Sequence, residues 1–238
     1  MIFEGAIATK AILEANNRDI DYIMIDEKKK DRNTNYIINL ANKKNIKIEF
    51  RSRDKIDELS SGKTHGGIII SANQRKYQTL NNINLKENIF LIDGIEDPFN
   101  LGYAIRSLYA FNINTIILKD THLISSDNII VKSSAGASEK INIVISDDII
   151  KDIKYLKSKD YLLSVLKRSD DSKIYFKSDL TKKIIYAIGG EKRGLSKDVE
   201  ALSDLNLYIP YSSKFKNALN LTSAIVTIAS EVHRQNYK

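Results

Sequence analysis

Short apolar strands alternate with amphipathic helical segments along almost the whole chain, and few folds accommodate that alternation. Ala6 to Ala15 is apolar at Ala6, Ile7, Ala11, Ile12 and Leu13, which predicts a helix. Asp21 to Asp26 then reads as a strand, Asn35 to Lys44 as a helix and Ile46 to Phe50 as a strand. Arg53 to Ser60 reads as a short helix and Gly67 to Ser71 as a buried strand. A chain of this kind buries its strands as a sheet under helices, so the expected class is α/β.

The polar stretch from Asn73 to Glu87 interrupts the pattern and marks a linker. A second series follows. Strands are expected at Asn88 to Asp93, Thr115 to Leu118, Asn142 to Ile145, Tyr161 to Leu166, Lys183 to Ile188 and Leu205 to Ile209. Helices are expected at Asn100 to Phe111, Ser126 to Ser134, Asp147 to Lys157, Ser196 to Leu202 and Ala218 to Gln235. The division predicted is a small domain over 1–73, a linker over 74–87 and a larger domain over 88–238.

Composition narrows the chemistry. With 42% hydrophobic and 28% charged residues among 238, the chain is globular. It has no cysteine, which excludes disulfides, thiolate metal sites and cysteine nucleophiles. His65, His122 and His233 lie far apart without metal-ligand spacing, so no metal is expected. The net charge of +7 points to a polyanionic partner. It is spread out: residues 1–88 hold 16 Lys and Arg against 12 Asp and Glu, so folding must assemble any basic surface. No window resembles a signal peptide or a membrane span, and a cytoplasmic protein is expected.

The chain has only 10 glycines and 2 prolines, and their positions are informative. In the second half they fall in Asp93–Gly102, at Gly136, in Gly189–Gly194 and at Pro210. The segment Gly189-Gly-Glu-Lys-Arg-Gly194-Leu-Ser196 joins a buried strand to a helix. Leu195 stands where a phosphate-binding P-loop needs lysine, and the spacing is wrong for a dinucleotide fingerprint. Glycines at the end of a strand still let backbone approach a ligand closely, or simply make a tight turn. Asp93 to Arg106 also links strand to helix, with Asn100 the expected N-cap and Arg106 within two turns of it. Asn220, Thr222 and Ser223 are polar in an apolar stretch, with Asn217 or Asn220 the cap of the last helix.

Taken together, these loops resemble the SpoU/TrmH family of S-adenosylmethionine-dependent RNA ribose 2'-O-methyltransferases, in the SPOUT superfamily. Asp97, Pro98, Asn100, Gly102 and Arg106 match its first motif. Gly189, Glu191, Gly194 and Leu195 match the second, and Ile209, Pro210, Leu219, Asn220 and Thr222 the third. Ser134-Ala-Gly-Ala137 is similar to a further family segment. Gly5 and Thr64-His-Gly-Gly67 look like the family's N-terminal substrate-binding domain.

The resemblance implies a trefoil-knotted, mainly parallel sheet flanked by helices, and a smaller ribosomal-protein-like α/β domain before it. It implies a homodimer through the knotted domain and structured RNA, ribosomal RNA foremost, as partner. By the same resemblance, Gly189, Ile209 and Leu219 hold S-adenosylmethionine through loop backbone. Arg106, Asn100, Glu191 and Asn220 form the catalytic set, with Arg106 the family's catalytic arginine. A guanidinium stays protonated, so a phosphate clamp that polarises the ribose hydroxyl suits Arg106 better than a base. The chain departs from the family in two places. Ala218 replaces a serine, and the segment from Pro210 to Leu219 is one residue longer. Tyr211, Ser212 and Ser213 are the hydroxyls available to substitute. The alternatives are a tRNA substrate, a resistance-type rRNA methylase, or a non-catalytic RNA-binding or assembly protein that keeps the fold.

Overall fold

The computed structural model describes residues 1–62, 64–85, 87–119, 122–190, 193–212 and 217–237. The chain forms two compact units. One comprises 1–76 with 126–140, the other 77–125 with 141–238. The division by contacts thus assigns Ser126–Lys140 to the first unit, where a division by sequence order places it within 88–238.

In the first unit, β1 (Ile2–Glu4), β2 (Ile20–Asp26), β3 (Ile48–Arg51) and β4 (Ile68–Ala72) form a sheet in the order β1-β4-β2-β3. Only β2 and β3 are parallel. β1 escapes the sequence pattern because three residues are too few to show alternation. Helices α1 (Ala6–Ala15) and α2 (Arg32–Lys43) bury Ile12, Leu13, Ile37 and Ala41 with Ile23, Ile25, Ile68 and Ile70 of the sheet. Ile56 of α3 (Arg53–Leu59) packs with Met24 and Ile69, which alternate with the first set and so face the opposite side.

The sequence-distant segment joins this unit by packing and by charge. Val131 of α5 (Asp127–Ser133) enters the same core. Gly136 lies so close to α1 that a Cβ would sit 2.5 Å from Cβ of Ala11. Arg18, its side chain wholly buried, donates from Nε and Nη2 to Glu139 at 3.0 and 2.7 Å. Nη2 also lies 2.6 Å from Asp127 Oδ2. His65 is fully buried. Its Nδ1 accepts from the Gly67 N–H at 3.1 Å, which puts the ring proton on Nε2, 2.7 Å from Asp57.

The second unit holds a seven-stranded sheet. Its strands are β5 (Ile89–Asp93), β6 (Thr115–Lys119), β7 (Asn142–Ser146), β8 (Leu162–Leu166), β9 (Lys173–Ile174), β10 (Ile184–Gly189) and β11 (Leu205–Tyr208). The order is β7-β6-β5-β10-β8-β11-β9, and every adjacent pair is parallel. Both faces are covered, so the central strands read as continuous apolar runs. Leu91, Ile117, Leu163, Val165, Ile185 and Ala187 pack with α6 (Ile149–Lys157) and with Val199 of α7 (Lys197–Ala201). Phe90 and Tyr186 alternate with these and stack at 5.1 Å on the other face. There α8 (Leu221–Asn236) packs against β10 and against α4 (Pro98–Ala110). Parallel strands gather their carboxyl ends at one edge, where open α/β sheets bind ligands.

Candidate active site at the carboxyl ends of the parallel strands

Two of the three loops at that edge meet backbone to backbone, and a side-chain hydrogen bond ties in the third. Gly189 ends β10 in register with Asp93 of β5. A Cβ on Gly190 would lie 2.2 Å from the Gly94 carbonyl oxygen, and one on Gly189 would lie 2.2 Å from the Gly194 carbonyl carbon. Both neighbours are backbone, so neither position accepts any side chain without moving a loop. The Gly194 N–H donates to Gly190 O at 3.0 Å and folds the second loop over the strand end. The first loop therefore touches the second where neither carries a side chain.

The first loop enters α4 through Asp97, not Asn100. Asp97 accepts from the Phe99 N–H at 3.0 Å with Pro98 in the first turn. This corrects the capping role expected of Asn100. Proline suits that turn because it lacks an N–H and its φ is preset for helix, so the cap moves to the residue before it. Asn100 lies in the first turn, and its carbonyl accepts from Thr222 Oγ1 of α8 at 3.3 Å, which ties the third motif to the first. The earlier start puts Arg106 in the third turn. It is exposed there, with no hydrogen-bond or ion-pair partner among the described residues. Phe99 and Tyr103 share its face of the helix, 50% and 49% exposed.

In the third loop, Asn220 caps α8, its Oδ1 accepting from the Ser223 N–H at 2.8 Å. Ile209 and Leu219 line one cavity of about 280 Å³ with Leu166, Leu207, Tyr208, Tyr211, Ala218 and Ala224. Lys167 and Arg168 complete its lining. Two of the three residues expected to hold a cofactor thus converge on one cleft. Gly189, the third, is not among the lining residues and lies at the end of β10, between β5 and β8. Glu191 lies outside the described residues. Lys167 and Arg168 carried no signal in the sequence, because they belong to no motif and only the end of β8 brings them to the cleft.

The class defined so far is an α/β protein with a parallel sheet whose carboxyl-end loops build an apolar cleft rimmed by cations. Comparison with known proteins specifies it. Residues 87–229 match the SpoU rRNA Methylase family, and residues 3–78 match RNA 2'-O ribose methyltransferase substrate binding. The chain belongs to the SpoU rRNA Methylase family. Among curated relatives, an uncharacterized tRNA/rRNA methyltransferase of Borreliella burgdorferi is 28% identical over 87% of this chain and 96% of its own. The 23S rRNA (guanosine-2'-O-)-methyltransferase RlmB of Neisseria meningitidis serogroup B is 24% identical over 97% of this chain and 94% of its own. Among solved structures, the SpoU methyltransferase AviRb from Streptomyces viridochromogenes, in complex with the cofactor AdoMet, superposes with a TM-score of 0.81. It is 19% identical and covers 99% of this chain and 89% of its own. An rRNA methyltransferase from Sinorhizobium meliloti gives 0.83 at 19% identity, covering 100% and 88%. These structural likenesses establish the two-unit α/β fold.

Proposed function

We propose that the chain transfers a methyl group from S-adenosylmethionine to a ribose 2'-hydroxyl of ribosomal RNA. The observation that carries this reading is the shared cleft of Ile209 and Leu219 at the same sheet edge as the end of β10, where Gly189 and Gly190 leave room for no side chain of their own. The lining fits the cofactor: Leu166, Ile209 and Leu219 offer apolar faces to a purine, and Arg168 and Lys167 match a carboxylate. When bound, the cofactor would supply a sulfonium methyl: the ribose oxygen forms the new C–O bond as the S–CH3 bond breaks, S-adenosylhomocysteine leaves, and the hydroxyl proton passes to solvent.

The protein's own part is orientation and charge. Arg106, exposed and without a described partner, holds an RNA phosphate and polarises the ribose hydroxyl. The Asn100 main-chain carbonyl ties α4 to α8 through Thr222, and Asn220 fixes the start of α8 as its cap. Glu191 completes the set by family likeness. The knot and the homodimer belong to the same proposal. Exposed Phe99 and Tyr103 beside Arg106 form an apolar stripe suited to a second copy. Light scattering should give about twice the 27.0 kDa chain mass, and a monomer at working concentration would refute the dimer. Relatives are named for 23S rRNA, which favours that substrate.

The direct test incubates the protein with methyl-tritiated S-adenosylmethionine and total RNA from a strain lacking it. Label should enter large-subunit rRNA at an alkali-resistant linkage. Label in tRNA alone moves the substrate, and no label in any RNA leaves an RNA-binding protein without this activity.

A further inference from the structure

Ala218 removes a hydroxyl from the third loop, and the loop is also one residue longer than in the family the chain resembles. The structure shows what holds it instead. The Leu219 N–H donates to the Tyr211 hydroxyl oxygen at 2.8 Å, and both residues line the same cavity. Ile209 and Pro210 lie just before Tyr211. Proline fixes its own φ and holds the preceding residue extended, so the chain enters this loop on a stiff segment. The phenol has few rotatable bonds and so acts as a strut between Tyr211 and the Leu219 backbone. Immediately after Leu219, Asn220 caps α8, and two residues on Thr222 bonds the Asn100 carbonyl of α4.

We infer that Tyr211 is a positioning residue for cofactor binding: its hydroxyl fixes the Leu219 backbone and so preforms the cleft wall. This rests on the reading that the cleft takes S-adenosylmethionine. One consequence is stereochemical. The Leu219 N–H is occupied by Tyr211, so Leu219 meets the cofactor with its carbonyl oxygen and side chain. A second is energetic. Fixing the Leu219 backbone before the ligand arrives removes an entropic cost from binding. The hydroxyl therefore acts on cofactor affinity, and the chemical step, which follows binding, does not depend on it.

The test is Tyr211→Phe, which keeps the ring and removes the hydroxyl that accepts from the Leu219 N–H. S-adenosylmethionine binding is measured by calorimetry on the full chain, with methylation kinetics beside it and the cofactor-free thermal midpoint used to match folded fractions. The expected result is Kd and KM for S-adenosylmethionine raised about threefold or more, the net effect of one lost hydrogen bond whose exposed donor passes to water. kcat at saturating cofactor should stay within about twofold of wild type. Tyr211→Ala should weaken binding further. Wild-type Kd in the Phe variant overturns the proposal, and so does a fall in kcat with Kd unchanged. If the wild-type chain itself binds no S-adenosylmethionine, the cofactor reading has failed, and that outcome is distinct from failure of the strut alone.

Discussion

Gly190 shows how little freedom single positions have at the strand ends. A methyl group there meets the oxygen, carbon and Cα of Gly94 at 2.2, 2.7 and 3.0 Å, all of them backbone. No rotamer change relieves such a contact. Gly190→Ala should force the first and second loops apart, cost about 1–3 kcal/mol as overpacking does, and weaken cofactor binding. Chemical denaturation with parallel calorimetry checks both effects. Arg106 is the opposite case, an exposed side chain with no described partner whose removal disturbs no packing. Arg106→Ala should abolish methylation while thermal stability and S-adenosylmethionine affinity stay at wild-type values. Lost cofactor binding, or wild-type turnover, would remove it from the catalytic set. Residue types mark both positions in the sequence, but the contact that makes Gly190 obligatory lies 96 residues away at Gly94.

Among the elements, α8 combines scaffold and site. Asn220 ends the cleft wall and caps the helix, and these roles can be separated by substitution. Asn220→Ala should destabilise the protein by about 0.5–2 kcal/mol through the lost cap. Asp caps as well as Asn, so Asn220→Asp should preserve stability. If Asn220 also acts in the reaction, the Asp variant loses turnover with its melting curve intact, and full activity would confine the residue to capping. The elements were largely legible because their periodicities are strong. α1 runs over Ala6–Ala15 as its apolar spacing predicts. The start of α4 was misplaced because Asn100 and Asp97 are both good caps by type, and the choice depended on Pro98. The short strands β1 and β9 were missed because three and two residues carry no period.

For the molecule as a whole, the division into units follows charge as well as order in the chain. Arg18 pairs with both Glu139 and Asp127, which arrive from more than a hundred residues later. Arg18→Ala strands two buried carboxylates and should cost the first unit about 3–5 kcal/mol. Asp127 brings a pH dependence. Burial, the largest influence, raises its pKa above 3.8; Arg18 opposes this and Glu139 adds to it. Native protein therefore holds this proton more tightly than unfolded chain. The group's contribution to stability is complete below 3.8 and is lost as pH climbs through the higher native value. Asp127→Asn should flatten that fall, so the stability difference from wild type should change as pH rises above 3.8. Equilibrium denaturation across that range checks it, and parallel curves would exclude Asp127 as the source.

The sequence by itself determined the α/β class, the family and the loops that build the site. Apolar periodicity and scarce glycine and proline are local properties, and they survive in a linear reading. Only the tertiary structure decided that Ser126–Lys140 joins the first unit, that Lys167 and Arg168 rim the cleft, and that the Tyr211 hydroxyl reaches Leu219; Ser213 lies outside the described residues. The first two depend on distances between residues far apart in the chain, and the third on which side chain reaches a backbone N–H eight residues on. Packing and charge pairing set such distances, and residue order alone does not encode them.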